Sequence, residues 1–260
     1  MIVGDPIASG NTADVYRSGE DIIKVFRNFL PDTEAEKEVH KQRVAYALLG
    51  NVPEVKEVGR TEGRQMIRMA YVEGQTLGED LLSNPDIAEE LLLISVREQI
   101  RIQSHPVEGI EQMKEKLARQ INEANGIEET CRINLLDKMS NMPMGNQLCH
   151  GDFHLFNVIQ TEKRCMILDW VDAAAGSPEA DACRSYLLYL SYDRQIAQKY
   201  LDLYCSKSGV EKASVLDWKP ILAAARLSES VPDKDREQLR SIVSDLDSPK
   251  RDSWQADKYR

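Results

Sequence analysis

Apolar, largely β-branched positions fall into three short runs near the N-terminus, Asp5–Ser9, Ala13–Arg17 and Asp21–Phe26. Glycine-containing turns at Gly10-Asn11 and Gly19-Glu20 separate them, and the pattern predicts strands. The period then lengthens. Pro31-Asp32-Thr33 supplies a helix start, and Glu34–Leu49 carries Val39, Val44, Ala45 and Leu48 at helical spacing, with Gly50 as a C-cap and Val52-Pro53 as a stop. Strands resume at Val55–Arg60 and Arg64–Ala70, and Tyr71–Gln75 reads as a connector. Beyond it the periodicity is mostly helical, over 76–83, 86–104, 108–125 and 128–141. Short strands are expected at Gln147–His150, Val158–Gln160 and Met166–Asp169. Helices follow at Asp181–Ser191, Arg194–Ser208, Ser214–Ser228 and Asp233–Asp245, before a polar tail from Ser248. The reading is α+β: a β-rich N-terminal lobe, residues 1–73, and a mostly helical C-terminal lobe, residues 74–260.

Composition narrows the partners. A net charge of −10 speaks against a general nucleic-acid binder, which needs a basic face to neutralise phosphates. An acidic surface suits a cationic substrate and is equally ordinary for a soluble protein. No apolar run reaches the roughly 18–20 residues of a membrane helix, and Met1–Gly10 lacks the basic and apolar regions of a signal peptide. Five cysteines with no C-x-x-C pair predict free thiols in a reducing cytoplasm.

The chemistry concentrates in His150-Gly151-Asp152-Phe153-His154-Leu155-Phe156-Asn157 and Ile167-Leu168-Asp169-Trp170. A carboxylate, a carboxamide and a second carboxylate after an apolar run fit phosphoryl transfer from ATP with Mg²⁺. Asp152 would meet the acceptor hydroxyl, while Asn157 and Asp169 offer the hard oxygens that Mg²⁺ prefers. Alternating His150, Asp152 and His154 also allow a hydrolase metal cluster on one face of a strand, although the chain has only four histidines. In the phosphotransferase reading His150 is structural, bonding backbone to hold its loop. Lys24, a lysine among apolar strand residues, either snorkels or finds an anion, for which ATP phosphates are the natural choice. Glu38 on the following helix is the preferred partner, with Glu34 and Glu36 as competitors. Gly10 sits in a loop that either admits phosphate to backbone N–H groups or is a plain hairpin turn. Met69, Tyr71 and Val72 lie at the connector, where adenine would meet backbone groups, and Met69 is otherwise a core methionine. Asp172 is either a second metal ligand or a solvated turn carboxylate. Asp181 reads as a helix start, and its likeness to kinase-like folds implies a brace for the 150–157 loop.

In this order, Gly10 with Val15-Tyr16, Lys24, the Glu-bearing helix ending in Val52-Pro53, Met69–Gly74, His150–Asn157, Ile167–Trp170 and the segment to Asp181 resemble the aminoglycoside phosphotransferase family across nearly the whole chain. The resemblance implies a protein-kinase-like bilobal fold with Asp-Trp where protein kinases carry Asp-Phe-Gly. It also implies Asp152 as the catalytic residue, Asn157 and Asp169 as Mg²⁺ ligands, and ATP as donor to a small-molecule hydroxyl acceptor, in a monomer or homodimer. The chain departs from the family in its glycine-poor phosphate loop and in Leu155-Phe156, where Pro-Gly is often found. A nucleotide-binding pseudo-kinase without transfer activity is the competing expectation.

Overall fold

A computed structural model describes residues 4–244. The first strands, β1 (Ala8–Ser9), β2 (Ala13–Ser18) and β3 (Asp21–Phe26), are joined by the two predicted turns, although β1 is shorter than the expected Asp5–Ser9. Helix α1 (Glu34–Leu49) follows and ends on Gly50 at φ 68°, the left-handed C-cap conformation that glycine adopts without penalty. Strands β4 (Val55–Thr61) and β5 (Arg64–Ala70) complete an antiparallel sheet of order β1-β2-β3-β5-β4. Its register sets Lys24 opposite Val15 on one side and Ile67 on the other. Phe26, Val39, Ile67 and Met69 form a small core between this sheet and α1, separate from the larger core of the remaining chain.

After the connector come α2 (Leu77–Ser83), α3 (Ala88–Gln103), α4 (Met113–Glu123) and α5 (Glu129–Asn141). Thr76 caps α2 through a reciprocal capping box with Glu79. The expected helix 108–125 begins only at Met113, because residues 105–112 run extended beside the strands that follow. There Pro106 bridges Gln147, and Gln112 bridges Ala175. Strand β6 (Gln147–Cys149) leads into the 150–157 loop, which closes in a 3-10 turn at Leu155–Asn157. The hairpin β7 (Val158–Gln160) and β8 (Cys165–Ile167) comes next. Strand β9 (Ala174–Gly176) was not expected from sequence, and it pairs with β6.

Helix α6 (Pro178–Tyr192) starts before Asp181, with Ser177 as N-cap and Pro178 in its first turn. After α7 (Arg194–Ser208), the single helix expected over Ser214–Ser228 is two, α8 (Lys212–Leu216) and α9 (Lys219–Arg226). Pro220 has no N–H to continue a helix and sits in the first turn of α9. Helix α10 (Asp233–Ser244) ends the described chain, so the expected tail lies outside the described residues. No helix among the described residues is long and apolar enough to cross a membrane.

Candidate active site

A cavity of about 420 Å³ opens between the β-sheet and the β7–β8 hairpin. Eight of the residues singled out from sequence line it: Gly10, Lys24, Glu38, Met69, Tyr71, Val72, Asn157 and Asp169. Val15 and Ile22 face it from the sheet side, and Ile159 and Leu168 from the other, so its inner part is an apolar slot. Asp152, His150 and Asp181 do not line this cavity. They act on it through the loop they share.

Lys24 lines the cavity with its charge paired. Its Nζ lies 2.7 Å from Glu38 Oε1 and 3.5 Å from Asp169 Oδ1. Neither Glu34 nor Glu36 takes that place. Glu34 instead faces Lys37 at 4.0 Å on its own helix. Burial opposes the ammonium charge, but Asp169 and Glu38 outweigh it and raise the Lys24 pKa above the ordinary lysine value. Lys24 is therefore charged at neutral pH; Glu38 is almost wholly buried, its Oε2 has no hydrogen-bond partner, and burial raises its pKa against the pull of Lys24.

Gly10 sits at a hairpin tip, its N–H donating to Ala13 O at 2.9 Å. A Cβ there would meet only ordinary contact, so the fold of the free chain does not itself demand glycine. Asp14 and Arg27 pair at 2.8 Å and tie this tip down, with Ser9 also bonding Asp14. At the connector, Arg17 lies 3.2 Å above the centre of the Tyr71 ring. Met69 is buried and accepts a contact from Gln42 Nε2 at 3.4 Å.

The 150–157 loop is fixed from three sides. His150 is fully buried; its Nε2 lies 2.9 Å from Leu168 O, and its Nδ1 accepts the Asp152 N–H at 3.3 Å. An accepting Nδ1 leaves the proton on Nε2, which donates to Leu168. Both ring nitrogens are thus engaged, and the ring packs on Trp170 at 4.7 Å, so His150 turns away from any metal cluster with Asp152 and His154. Among the described residues no group of three or more His, Cys, Asp or Glu side chains could hold a metal ion.

Gly151 has φ 79°, and a Cβ on it would collide with the Asp172 carbonyl. Its N–H donates to Asp181 Oδ1 at 2.8 Å. The other Asp181 oxygen accepts from Gln99 (3.0 Å) and Gln103 (2.8 Å), whose carbonyls accept from the Tyr200 and Tyr204 hydroxyls.

Arg184, one turn beyond Asp181 on α6, is the third support. Its Nε donates to Gly151 O at 3.0 Å and its Nη2 to Asp152 Oδ1 at 3.3 Å, while Glu229 holds the guanidinium at 3.0 and 3.1 Å. His154 Nε2 lies 3.4 Å from the other Asp152 oxygen. Burial would raise the Asp152 pKa, but His154 and Arg184 hold it well below the usual carboxylate range. Asn157 Nδ2 donates to Asp152 O at 2.9 Å, which leaves Asn157 Oδ1 as an acceptor in the cavity wall. Asp169 stands at φ 57°, an uncommon left-handed conformation for a non-glycine residue, and its carboxylate is 43% exposed. A carboxamide oxygen and an accessible carboxylate are hard donors that fit Mg²⁺ with waters and phosphate oxygens completing the shell.

Leu155-Phe156 is accommodated by the 3-10 turn. Leu155 is buried, and the Phe156 ring lies over Gly78 of α2, where any Cβ would run into it. Asp172 is neither free nor a solvated turn carboxylate, because Lys116 donates to it at 2.5 Å. Sequence reasoning missed Arg184, Glu229, Gln99 and Gln103. The one signal for Arg184 was its i+3 spacing from Asp181, which puts both on one helix face.

Residues 3–218 match the phosphotransferase enzyme family (APH). A search of curated protein sequences finds no significant match. Among solved structures, the chain is similar to a thermostable mutant of aminoglycoside phosphotransferase APH(4)-Ia in ternary complex with ADP and hygromycin B (TM-score 0.67, 14% identity, 94% of each chain covered). It is also similar to the amicoumacin kinase hAmiN in complex with AMP-PNP, Ca²⁺ and Ami (TM-score 0.66, 11% identity, 92% of this chain and 86% of that one). A third similar structure is a choline kinase from Cryptosporidium parvum Iowa II (TM-score 0.59, 10% identity, 93% and 87%).

Proposed function

The chain belongs to the phosphotransferase enzyme family, and on that premise we propose that it transfers the γ-phosphoryl group of Mg²⁺-ATP to a hydroxyl of a small polar molecule. The observation that carries the reading is Lys24 held between Glu38 and Asp169 at the edge of an apolar slot, with Asn157 beside it. The slot takes adenine between Val15, Ile22, Ile159 and Leu168, with the backbone of Tyr71 and Val72 at its rim and Met69 behind it. Lys24 meets the phosphates, and the Gly10 loop covers them. Asn157 and Asp169 hold Mg²⁺, which neutralises phosphate charge when bound. Residues 1–73 serve as the nucleotide lobe and residues 74–260 as the catalytic and acceptor lobe. Five free cysteines suit a cytoplasmic monomer or homodimer.

Asp152 receives the proton of the acceptor hydroxyl. Its low pKa makes it a weak base, which suits a loose transition state in which the proton leaves late and orientation dominates. Arg184 and His154 occupy one direction on each carboxylate oxygen. Each oxygen keeps a further lone pair for the acceptor. The complete Lys24–Glu38 pair and the held Asp152 weigh against a pseudo-kinase.

Transfer from γ-labelled Mg²⁺-ATP to a panel of hydroxylated metabolites tests the reading. Asp152→Asn should lower turnover by about 10²–10⁴-fold with Mg²⁺-ATP affinity intact. Asp169→Ala should weaken Mg²⁺-ATP binding itself. Full transfer by Asp152→Asn would remove that residue from catalysis, and ATP binding without transfer to any acceptor would favour the pseudo-kinase.

A further inference from the structure

A second cavity, about 30 Å³, is lined by Gly151 together with residues of α4, α6 and α9 and shares no lining residue with the first. By this measure one water needs about 10–15 Å³, so the space suits two waters or one carboxylate head. Leu117 and Leu222 form apolar walls, and three cations reach it: Lys116, Arg184 and Arg226. Three carboxylates also line it, and each is already committed. Asp172 takes Lys116, and Glu229 takes Arg184 on both oxygens. Asp181 is saturated by Gly151, Gln99 and Gln103.

Arg226 is left over. It is only 6% exposed, yet its Nε has no hydrogen-bond partner. Its one hydrogen bond runs from Nη1 to Leu187 O at 3.3 Å, and the nearest carboxylate oxygen, Glu229 Oε2, stands 3.7 Å from Nε and already serves Arg184. A buried guanidinium with an unmade hydrogen bond is costly to keep. Burial, followed by the repulsion of Arg184, lowers the Arg226 pKa to about 10, outweighing the carboxylates around it, Glu229 first among them. Arg184, well paired, is shifted the opposite way.

We propose that the acceptor carries a small oxyanion, a carboxylate or a group of similar size, and that Arg226, flanked by Lys116 and Arg184, binds it in this second cavity. The inference rests on the reading of Asp152 as the residue that meets the acceptor hydroxyl. Arg184, which lines the cavity, also donates to Asp152 Oδ1 at 3.3 Å, so one molecule can set its anion at Arg226 and its hydroxyl at Asp152. A polyamine would find no uncommitted carboxylate in this cavity. The chain as a whole is acidic, at −10, so this surplus cation is a local feature and does not follow from net charge.

The test uses the full chain labelled with ¹⁵N-arginine. The Arg226 Nε–Hε resonance, assigned through Arg226→Lys, is followed during titration with acetate and, separately, with inorganic phosphate, at ionic strength held constant with chloride. A saturable shift that weakens about tenfold in Lys116→Met is expected, since one charge-assisted hydrogen bond carries about that factor. Saturation by acetate alone identifies a carboxylate, and saturation by phosphate alone a phosphoryl group. A response no different from that to chloride overturns the proposal. In the labelled-ATP assay, hydroxy acids and sugar acids should be phosphorylated, and Arg226→Lys should raise their KM more than it changes kcat. Transfer confined to aminoglycosides and amino alcohols would overturn the subsite while leaving the kinase reading intact. Failure to bind Mg²⁺-ATP would sink the kinase reading without touching the anion titration.

Discussion

Asp181→Ala should expose how much of the active loop depends on one carboxylate that never meets substrate. The side chain is completely buried and accepts three hydrogen bonds, from Gly151 N, Gln99 and Gln103, at 2.8–3.0 Å. Hydrogen bonds to a charged group contribute about 1.5–3 kcal/mol each, and orphaned buried donors cost about 1–3 kcal/mol each. These terms overlap, and loss of the Asp181 charge removes its own desolvation cost, so the net loss should be about 3–5 kcal/mol. Asp181→Asn should cost less, about 1–2 kcal/mol. The Asn carboxamide keeps an oxygen for Gly151, and if Gln99 and Gln103 rotate their amides, their carbonyls accept from the new NH₂ while their own NH₂ groups donate to Tyr200 and Tyr204. Urea unfolding read by tryptophan fluorescence measures both variants. In Asp181→Ala the freed Gly151 N–H should also loosen Asp152 and cut turnover on the order of 10²-fold, with Mg²⁺-ATP binding retained. Asp181→Ala within 1 kcal/mol of wild type, or a larger loss in Asp181→Asn, would refute the reasoning.

Lys24→Met should weaken Mg²⁺-ATP binding and leave Glu38 buried without its cation; Lys24→Met with Glu38→Gln should be more stable than Lys24→Met alone, and calorimetry and thermal melts read both effects. Gly151→Ala should be destabilising by more than about 1 kcal/mol, since its Cβ meets the Asp172 carbonyl at a left-handed backbone, whereas Gly10→Ala, which meets only an ordinary contact, should melt close to wild type. Burial raises the thiol pKa of Cys149 and Cys183, so thiolate is scarce at neutral pH; both should resist a thiol reagent in the native state and react on unfolding.

The parts of this molecule legible from sequence are those fixed by local spacing. The loop from His150 to Asn157 carries its own geometry, and Lys24 in an apolar strand announces a buried partner. Which glutamate answers it was harder, because Glu34 and Glu38 share a helix face and only the docking of α1 decides between them. Strand β9 escaped notice because Ala174–Gly176 has no polar alternation, and it becomes a strand only by pairing with β6. Residues 108–112 lost their helical reading to the same long-range pairing. Arg184 looked like an ordinary charge on a helix, since the Glu229 that buries it lies well over forty residues later in the chain. The break before α9 is marked by Pro220, although the single helix expected from sequence runs straight through it.

Trp170 carries a consequence for control of the enzyme. In protein kinases the aromatic residue after the metal-binding aspartate swings between two pockets, and that swing switches activity. Here the indole is completely buried, bonded to Ile167 O at 3.1 Å and wedged against His150. Moving it would open a large void in the main core. A swing of that kind should therefore cost on the order of 3–5 kcal/mol here, and the segment around Asp169 is expected to keep one arrangement.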